Sequence, residues 1–375
     1  MARHGSGERR GRVPSILIVD DDLEQADAAA LPFSRVATVK TRTPGDVSES
    51  DLAGADVVLI DYVLDDWHPD SESIASHPKD GVALAAVLRS HLAKGATTAL
   101  AIHSGQLDGL SCGLTPQSHL HLIARINNVE WVFSKKEAEN ARPRREQVLS
   151  LARAIRSLPT KWPANNQSRI RKILENLLGP IPAAWKQRAW QHIEECHPPI
   201  HELSPPTYAI TFVRWMLCSI LPFATFLWDY RYLAARLRVT PGSLERALKE
   251  DSSFSRKLAP FAYKGVLHDF LGHRWWRPGI EHFLWSKTKA NPFDVDELKR
   301  VIAELSRYLE PISLSEPVVP FDETLRPMDD LIELSDAVEL RPDDWPSYAG
   351  KPWARRDLAN EHPRLRSLIA PLSAR

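Results

Sequence analysis

The chain has 375 residues, 43% of them hydrophobic and 26% charged, and its 48 Lys and Arg balance its 48 Asp and Glu. This composition indicates a mostly globular protein of two or three domains, and it argues against a polyelectrolyte-like nucleic-acid binder. The charge is uneven, because residues 161–310 carry 22 basic against 15 acidic residues, or +7. The flanking segments are acidic, with 18 against 21 in residues 1–160 and 8 against 12 in residues 311–375.

The N-terminal residues 1–13 are predicted to be a disordered basic arm, since they contain no apolar segment of the kind found in secretory signals. Three cysteines without a CxxC pair predict a reducing compartment and no disulfide framework. The apolar stretch 212–230 contains Arg214 and Pro222, which favours two buried helices broken at the proline over a membrane span. These features together predict a cytoplasmic protein that does not enter the membrane.

Strand and helix patterns alternate over residues 14–158. Five apolar runs are predicted strands, at 15–22, 35–41, 55–61, 97–105 and 129–137, and amphipathic stretches lie between them. This alternation predicts an α/β domain with a doubly wound sheet of five parallel strands. Right-handed crossovers would bring the carboxyl ends of all the strands to one edge of the sheet.

Chemically active side chains lie at the ends of four of these strands. The first strand ends at Asp20 and Asp21, the third at Asp61, the fourth at Ser104 and the fifth at Lys135. Three carboxylates, a hydroxyl and an ammonium are therefore predicted to converge. Clustered carboxylates need a counter-ion, and Mg²⁺ prefers oxygen ligands of this kind. A carboxylate beside such an ion can attack a phosphoryl group, whose oxygens the ammonium and hydroxyl would bind.

The order of these motifs resembles the receiver domain of two-component response regulators. The matching segments are ILIVDD, VVLID, the Asp-Gly pair at 80–81, ALAIHSG and VFSKK, which together cover residues 14–158. The resemblance implies a flavodoxin-like fold. It also implies a histidine kinase or a small phosphodonor as a partner.

The resemblance assigns a role to each residue at the predicted edge. Asp61 would be the phosphoacceptor, and Asp20 and Asp21 would form the acidic pocket. The Mg²⁺ ligands would be Asp20, Asp21, Asp61 and the backbone carbonyl of Val63. The phosphate-binding and switch residues would be Ser104 and Lys135.

The sequence departs from the receiver pattern at three places. An insertion over 62–79 separates the phosphoacceptor from the next helix. Lys135 is followed by Lys136 where receivers have a proline, so the conserved lysine of receivers could correspond to Lys136 instead of Lys135. Val132 takes the position of the switch aromatic residue. A pseudo-receiver therefore stays an alternative, in which the edge of the sheet serves protein contact in a multiprotein complex without phosphate chemistry.

The remaining chain is predicted to be mainly helical. A linker over 159–167 leads to a basic, tryptophan-rich output domain at 168–310, in which 233–248 fits a helix–turn–helix with Thr240 as N-cap. Two amphipathic helices that dock a partner protein have the same pattern. The exposed candidates for DNA contact are Ser243, Arg246 and Lys249.

Two further segments complete the sequence. Residues 273–285 mix arginine with tryptophan, and the helical spacing of Trp276 and Ile280 favours a core over a nucleic-acid surface. Residues 311–375 are predicted to be a Pro-rich, acidic and irregular tail with one short element near 328–340.

The sequence thus predicts a response-regulator-like signalling protein, and not an enzyme. Mg²⁺-dependent phosphorylation of Asp61 would control a helical region that binds DNA or a partner protein. A homodimer is compatible with this prediction.

Overall fold

The computed structural model describes residues 13–65, 78–92, 97–111, 116–135, 143–159, 166–200, 209–288, 291 and 293–370. Contacts group the chain into two compact units, and each unit is discontinuous in sequence. The first unit comprises Met1–Pro180, Pro198–Pro222 and Lys264–Gly272. The second unit comprises Ile181–His197, Phe223–Tyr263 and His273–Arg375. The predicted boundaries of the linker, output domain and tail stay predictions, and they differ from this grouping.

The strands are β1 (Ser15–Val19), β2 (Thr38–Arg42), β3 (Val57–Asp61), β4 (Ala99–Ser104), β5 (Trp131–Ser134), β6 (Leu227–Trp228), β7 (Trp275–Trp276), β8 (Pro317–Val318), β9 (Ile332–Glu333), β10 (Ala337–Glu339) and β11 (Trp353–Arg355). The helices are α1 (Leu23–Ala30), α2 (Glu49–Gly54), α3 (Gly81–His91), α4 (Pro116–Ile126), α5 (Arg144–Ser157), α6 (Gln167–Leu178), α7 (Ala183–Glu195), α8 (Ala209–Trp215), α9 (Tyr230–Leu237), α10 (Pro241–Glu250), α11 (Ser252–Leu258), α12 (Arg277–Lys287), α13 (Val295–Leu305), α14 (Arg356–Glu361) and α15 (Pro363–Leu368).

The first unit is built on a five-stranded sheet whose order is β2-β1-β3-β4-β5. All its pairings are parallel, with Ile18 opposite Leu59 and Asp61 opposite His103. The sheet confirms the predicted doubly wound, receiver-like fold, and a mostly helical region follows it in the chain. The carboxyl ends of β1, β3, β4 and β5 consequently lie at one edge.

The central strands are buried on both faces, which explains their apolar runs. Leu17 and Ile60 belong to a core cluster that also contains Leu88 of α3 and Ile123 of α4. Alternate residues such as Ile18 point to the opposite face, where α1 and α5 pack. Because helices cover both faces of the sheet, polar side chains can meet only at the edge formed by the strand ends.

Asp side chains fix the start of two helices at this edge. The Asp22 carboxylate accepts hydrogen bonds from the backbone N–H groups of Glu24 and Gln25 at the start of α1. The Asp80 carboxylate accepts one from Ala83 at the start of α3, at 2.8 Å. Such caps each contribute about 1 kcal/mol. They turn the chain sharply after β1 and hold α3 beside the end of β3.

The first unit also contains segments that come much later in the sequence. Arg214 of α8 forms an ion pair with the fully buried Glu130 at 2.7 Å, and its guanidinium donates to the carbonyl and side-chain oxygens of Asn128. Arg89 of α3 reaches the same Glu130 carboxylate at 3.1 Å, and the Leu100 amide donates to it at 2.6 Å. A buried carboxylate at the start of β5 thus ties α8 to the sheet.

The apolar stretch 212–230 forms no continuous helix. Helix α8 ends at Trp215 and a π-helical turn follows over Met216–Ile220, so the helical path stops before Pro222 as predicted. The second predicted helix was wrong, because residues 223–226 are not helical and Leu227–Trp228 form β6. Among the described residues, no helix combines the length and the apolar character needed to cross a bilayer.

The second unit has its core around α9, α10, α12 and α13. Trp275 and Trp276 are buried, which confirms the core interpretation for both. Trp276 packs against Trp185 and stacks on Phe226, with ring centroids 5.8 and 5.6 Å apart. Trp285 is 54% exposed and does not belong to this core.

The tail is more ordered than predicted. Strands β8 and β9 form one antiparallel pair and β10 and β11 form another, and α14 and α15 follow. A small core of Leu340, Ala354, Ala359 and Leu365 joins these elements. The predicted short element near 328–340 corresponds to β9 and β10. The prediction missed β8, β11, α14 and α15, because short elements with few apolar residues leave no periodic pattern.

Candidate functional site

Three carboxylates meet at the edge of the sheet in the first unit. Oxygen atoms of Asp20, Asp21 and Asp61 all lie within 4.8 Å of one another. Asp20 is 3% and Asp61 8% exposed, so water screens their mutual repulsion poorly. Oxygen donors of this kind and spacing suit a hard divalent cation. The cluster therefore fits the predicted Mg²⁺, with these three residues as its side-chain ligands.

Lys135 provides a positive charge beside the carboxylates. Its Nζ atom lies 2.9 Å from Asp61 Oδ1 and 3.5 Å from Asp20 Oδ2. Its backbone amide donates to the Ser104 carbonyl at 2.7 Å, which extends the pairing of β4 and β5 by one residue. Lys136, the alternative assignment, lies outside the described residues.

Burial shapes the protonation of the carboxylates. It raises the pKa of Asp20 to about 6, and the nearby Asp61 charge adds to this while the Asp22 amide opposes it. Burial also raises the pKa of Asp61, although Lys135 counteracts the effect. Ionised carboxylates at this edge are thus held at an electrostatic cost, which a bound cation would reduce.

Ser104 and Val63 lie at the same edge. Ser104 is fully buried at the end of β4, and its Oγ atom accepts a hydrogen bond from the Gln106 amide at 2.9 Å. Val63 forms an isolated bridge with Asp80 at the start of α3. The switch role of Ser104 and the ligand role of the Val63 carbonyl stay predictions. Residues 66–77 of the predicted insertion, with His68, lie outside the described residues.

Gly81 allows α3 to approach Asp61 closely. A Cβ atom at this residue would lie 2.0 Å from the backbone oxygen of Asp61, and the Gly81 amide donates to the Tyr62 carbonyl at 2.9 Å. No side chain fits in this space unless the end of β3 or the start of α3 moves. A glycine is therefore required at position 81.

We predict that Gly81→Ala lowers the free energy of unfolding by about 1–3 kcal/mol, the usual cost of overpacking. The displaced Asp61 should also weaken Mg²⁺ binding. Urea denaturation and magnesium titration would measure the two effects. Gly54→Ala is the matched control, because a Cβ atom there meets nothing within 4 Å. Equal stabilities of the two variants would contradict the prediction.

His103 is a buried titratable group beside the site that the sequence did not indicate. It is 5% exposed on β4, and its Nε2 atom has no hydrogen-bond partner among the described residues. Burial lowers its pKa to about 3, with smaller contributions from Arg144 and Lys135. The folded protein therefore keeps this imidazole neutral while the unfolded chain takes up a proton near pH 6.5.

This pKa shift makes stability sensitive to acid. The contribution of neutral His103 is fully present above pH 6.5 and is lost as the pH falls towards 3, by roughly 2 kcal/mol at pH 5. The wild-type protein should lose free energy of unfolding between pH 7 and pH 5. We predict that His103→Leu makes this loss smaller by the contribution of His103, as measured by urea titrations at the two pH values. Val87→Ala, at an exposed position on α3 without a titratable side chain, should leave the slope unchanged. A wild-type slope in His103→Leu would refute this assignment.

The candidates for DNA contact lie in the second unit and differ in exposure. Helices α9 and α10 flank a turn in which Arg238 adopts a left-handed conformation and Thr240 caps α10. Arg246 and Lys249 are exposed as predicted. The expectation that Ser243 is exposed was wrong, since it is 3% exposed.

Ser243 is buried because the chain segment at Glu310 lies against it, which helical spacing alone does not reveal. Ser243 Oγ donates to the Thr240 carbonyl at 2.8 Å and accepts from the Glu310 amide at 3.1 Å. The Glu310 carboxylate forms an ion pair with Arg246. Residues that follow α13 thus cover the start of α10.

Comparisons with known proteins find only distant similarity. No protein-family model and no curated protein sequence matches this chain. A solved structure of RcsB from Salmonella enterica serovar Typhimurium, bound to a promoter in the presence of phosphomimetic BeF₃⁻, matches 47% of this chain and 82% of its own. The identity is 14% and the TM-score 0.23.

Two further RcsB structures match in the same way. One describes two RcsB dimers bound to two parallel DNAs, with 11% identity, a TM-score of 0.24 and coverage of 56% of this chain and 98% of the other. The second, of the Salmonella typhimurium RcsB response regulator, has 10% identity, a TM-score of 0.25 and coverage of 56% and 92%. About half the chain thus resembles RcsB at low identity. The likeness adds nothing to what the sheet order and the carboxylates indicate.

Proposed function

We propose that this chain is a phosphorylation-controlled signalling protein in which Asp61 accepts a phosphoryl group. The observation that carries this proposal is the cluster of Asp20, Asp21 and Asp61 with the Lys135 ammonium 2.9 Å from Asp61. A buried carboxylate with a counter-charge and a cation-binding neighbourhood is suited to phosphoryl transfer. The chain would modify itself, so we do not propose an enzyme that acts on a separate substrate.

Each side chain has a defined part in the proposed reaction. An Asp61 oxygen forms a bond to phosphorus while the P–N bond of a phosphohistidine, or the P–O bond of a small acyl phosphate, breaks. The leaving group takes the bonding electron pair. Lys135 binds a phosphoryl oxygen, and Ser104 can donate its hydroxyl proton to another. Mg²⁺, when bound to the three carboxylates, would neutralise the charge of the incoming phosphate.

The proposal is tested with beryllofluoride and acetyl phosphate in the presence of Mg²⁺. Fluorine NMR should show a bound beryllofluoride signal that disappears on chelation of Mg²⁺. Intact-mass spectrometry should show the gain of one phosphoryl group from acetyl phosphate. If neither adduct forms, the proposed phosphate chemistry is wrong and the pseudo-receiver scaffold is the better explanation.

For the output we favour a partner protein over DNA. In the second unit, a cleft of about 600 Å³ at the start of α10 is lined by Glu310, Asp329 and Asp330 together with Arg246. Recognition helices usually contact bases through their N-terminal residues. Carboxylates at this position would repel the phosphate backbone.

A mobility-shift assay on the full chain decides between these outputs. We expect no retarded complex with duplex DNA at low salt, with or without beryllofluoride. A complex that salt dissociates, and that Arg246→Ala and Lys249→Ala weaken, would establish DNA as the partner instead.

A further inference from the structure

The segment Lys264–Gly272 packs on the sheet of the first unit, although residues on both sides of it in sequence belong to the second unit. Its Phe270 is fully buried against two aromatic residues of β5. The Phe270 ring makes an edge contact with Trp131, with centroids 5.0 Å apart, and lies 6.4 Å from Phe133. The segment therefore covers the edge strand that leads to Lys135.

Helix α5 holds the same segment through polar contacts. Gln147 donates to the Phe270 carbonyl at 3.2 Å. The Ser150 hydroxyl donates to the Asp269 carboxylate, and Arg153 forms an ion pair with it at 3.7 Å. Residues spaced three apart share one face of a helix, so α5 presents a row of three polar groups to the segment.

The opposite end of the segment is fixed to α6. The Val266 amide donates to the Leu177 carbonyl at 2.8 Å. A Cβ atom at Gly265 would lie 2.4 Å from the Leu178 carbonyl oxygen, so only glycine fits there. The backbone between these anchors is constrained, because Leu267 has a positive φ of 61° and is buried. The segment is an ordered, docked element of the first unit.

A continuous set of contacts joins this docking site to the carboxylate cluster. Lys135 contacts Asp61 through its ammonium, and its backbone carbonyl accepts from Arg144 of α5 at 3.3 Å. Arg144 also donates to the Ser134 carbonyl at 3.2 Å. Arg144 precedes Gln147 by one helical turn, so the same helix holds the end of β5 and the docked segment.

We propose that the segment Lys264–Gly272 responds to the state of the Asp61 site. The segment docks on β5 and α5, and Lys135 contacts Asp61 at the end of β5 and Arg144 at the start of α5. The trigger would be the proposed phosphorylation of Asp61, so the inference rests on the proposed function. A phosphoryl group would draw the ammonium away from the carboxylates. The change would reach the segment through Phe133 and α5, and covalent continuity at Tyr263 and His273 would pass it to the second unit.

Hydrogen-exchange mass spectrometry on the full chain tests the inference without any phosphodonor. Lys135→Met removes the contact between the ammonium and Asp61. We expect amides of 264–272 to exchange at least about twofold faster than in the wild type. Lys172→Met, at an exposed lysine of α6 in the same unit, is the matched control and should leave this exchange unchanged. Lys135→Arg, which keeps the positive charge, should restore most of the protection.

A second arm compares wild-type protein with and without Mg²⁺ and beryllofluoride. Faster exchange of 264–272 in Lys135→Met supports the inference. If that effect appears while no beryllofluoride adduct forms, the docking inference stands and the proposed phosphorylation falls. If an adduct forms while 264–272 exchanges at the wild-type rate in both arms, the inference is overturned and the proposed function stands. Should Lys135→Met not fold, Lys135→Gln, which also removes the ammonium, replaces it beside the adduct arm.

Discussion

Asp61→Asn is expected to abolish the beryllofluoride adduct and phosphoryl transfer from acetyl phosphate. The amide removes the nucleophilic oxygen and one of the three charges that fit a cation, while it keeps the shape of the side chain. Fluorine NMR and intact-mass spectrometry of the Mg²⁺-loaded protein would measure both losses. The fold should be retained, because burial already disfavours the charges of this cluster. The loss of one of them should therefore not lower the free energy of unfolding.

Two companion variants make this result specific. Asp20→Asn should weaken Mg²⁺-dependent adduct formation by at least about tenfold, because the charge of the ligands sets cation affinity. Asp65→Asn should behave as the wild type, since this carboxylate is exposed and lies outside the cluster. An adduct on Asp61→Asn would show that another residue is the acceptor. A loss in Asp65→Asn would place the functional site elsewhere in the loop.

Arg214→Met is expected to cause the largest loss of stability, about 2–3 kcal/mol. This is below the usual cost of breaking a buried ion pair, because the Arg214 side chain is 31% exposed and Glu130 keeps the Leu100 amide. Glu130 is fully buried, and Arg214 supplies its shortest ion pair, at 2.7 Å, besides two hydrogen bonds to Asn128. Methionine fills a similar volume but leaves the carboxylate with Arg89 as its ion-pair partner. Urea denaturation at pH 7 would measure the loss.

The same substitution at Arg300 provides the control. Arg300 of α13 pairs with Glu297 and Glu304 at 2.9 and 2.6 Å, but its side chain is 46% exposed. Exposed ion pairs contribute about 0–1 kcal/mol, so Arg300→Met should be nearly neutral. If the two variants lose similar stability, the burial of Glu130 does not have the importance assigned to it here.

The sheet and its edge could be predicted because their signals are local. Runs such as VVLI mark strands buried on both faces, and Asp20 and Asp61 follow two of them directly. The parallel crossover rule then brings these residues together without any knowledge of tertiary contacts.

Features that depend on distant residues could not be predicted. Ser243 has the helical spacing of an exposed residue, and its burial is caused by Glu310, which lies 67 positions later. The sequence likewise gives no sign that Glu130 is buried, because its partner Arg214 lies 84 positions later. Helical periodicity records only which face is apolar, so it carries no information about which segment will cover the other face.

The discontinuity of the first unit bears on how the protein is made. A ribosome releases the chain from its N-terminus, and domains tend to fold as their residues emerge. The five strands are complete at Ser134, but two residues that contact the sheet are synthesised later. Phe270 contacts Trp131, and Arg214 pairs with Glu130. At about 5–20 residues per second, an aromatic edge and a buried carboxylate stay without these partners for several seconds. The nascent sheet therefore passes through an interval in which these aromatic side chains and this carboxylate are uncovered, and a chaperone or a pause in translation would then have its greatest effect.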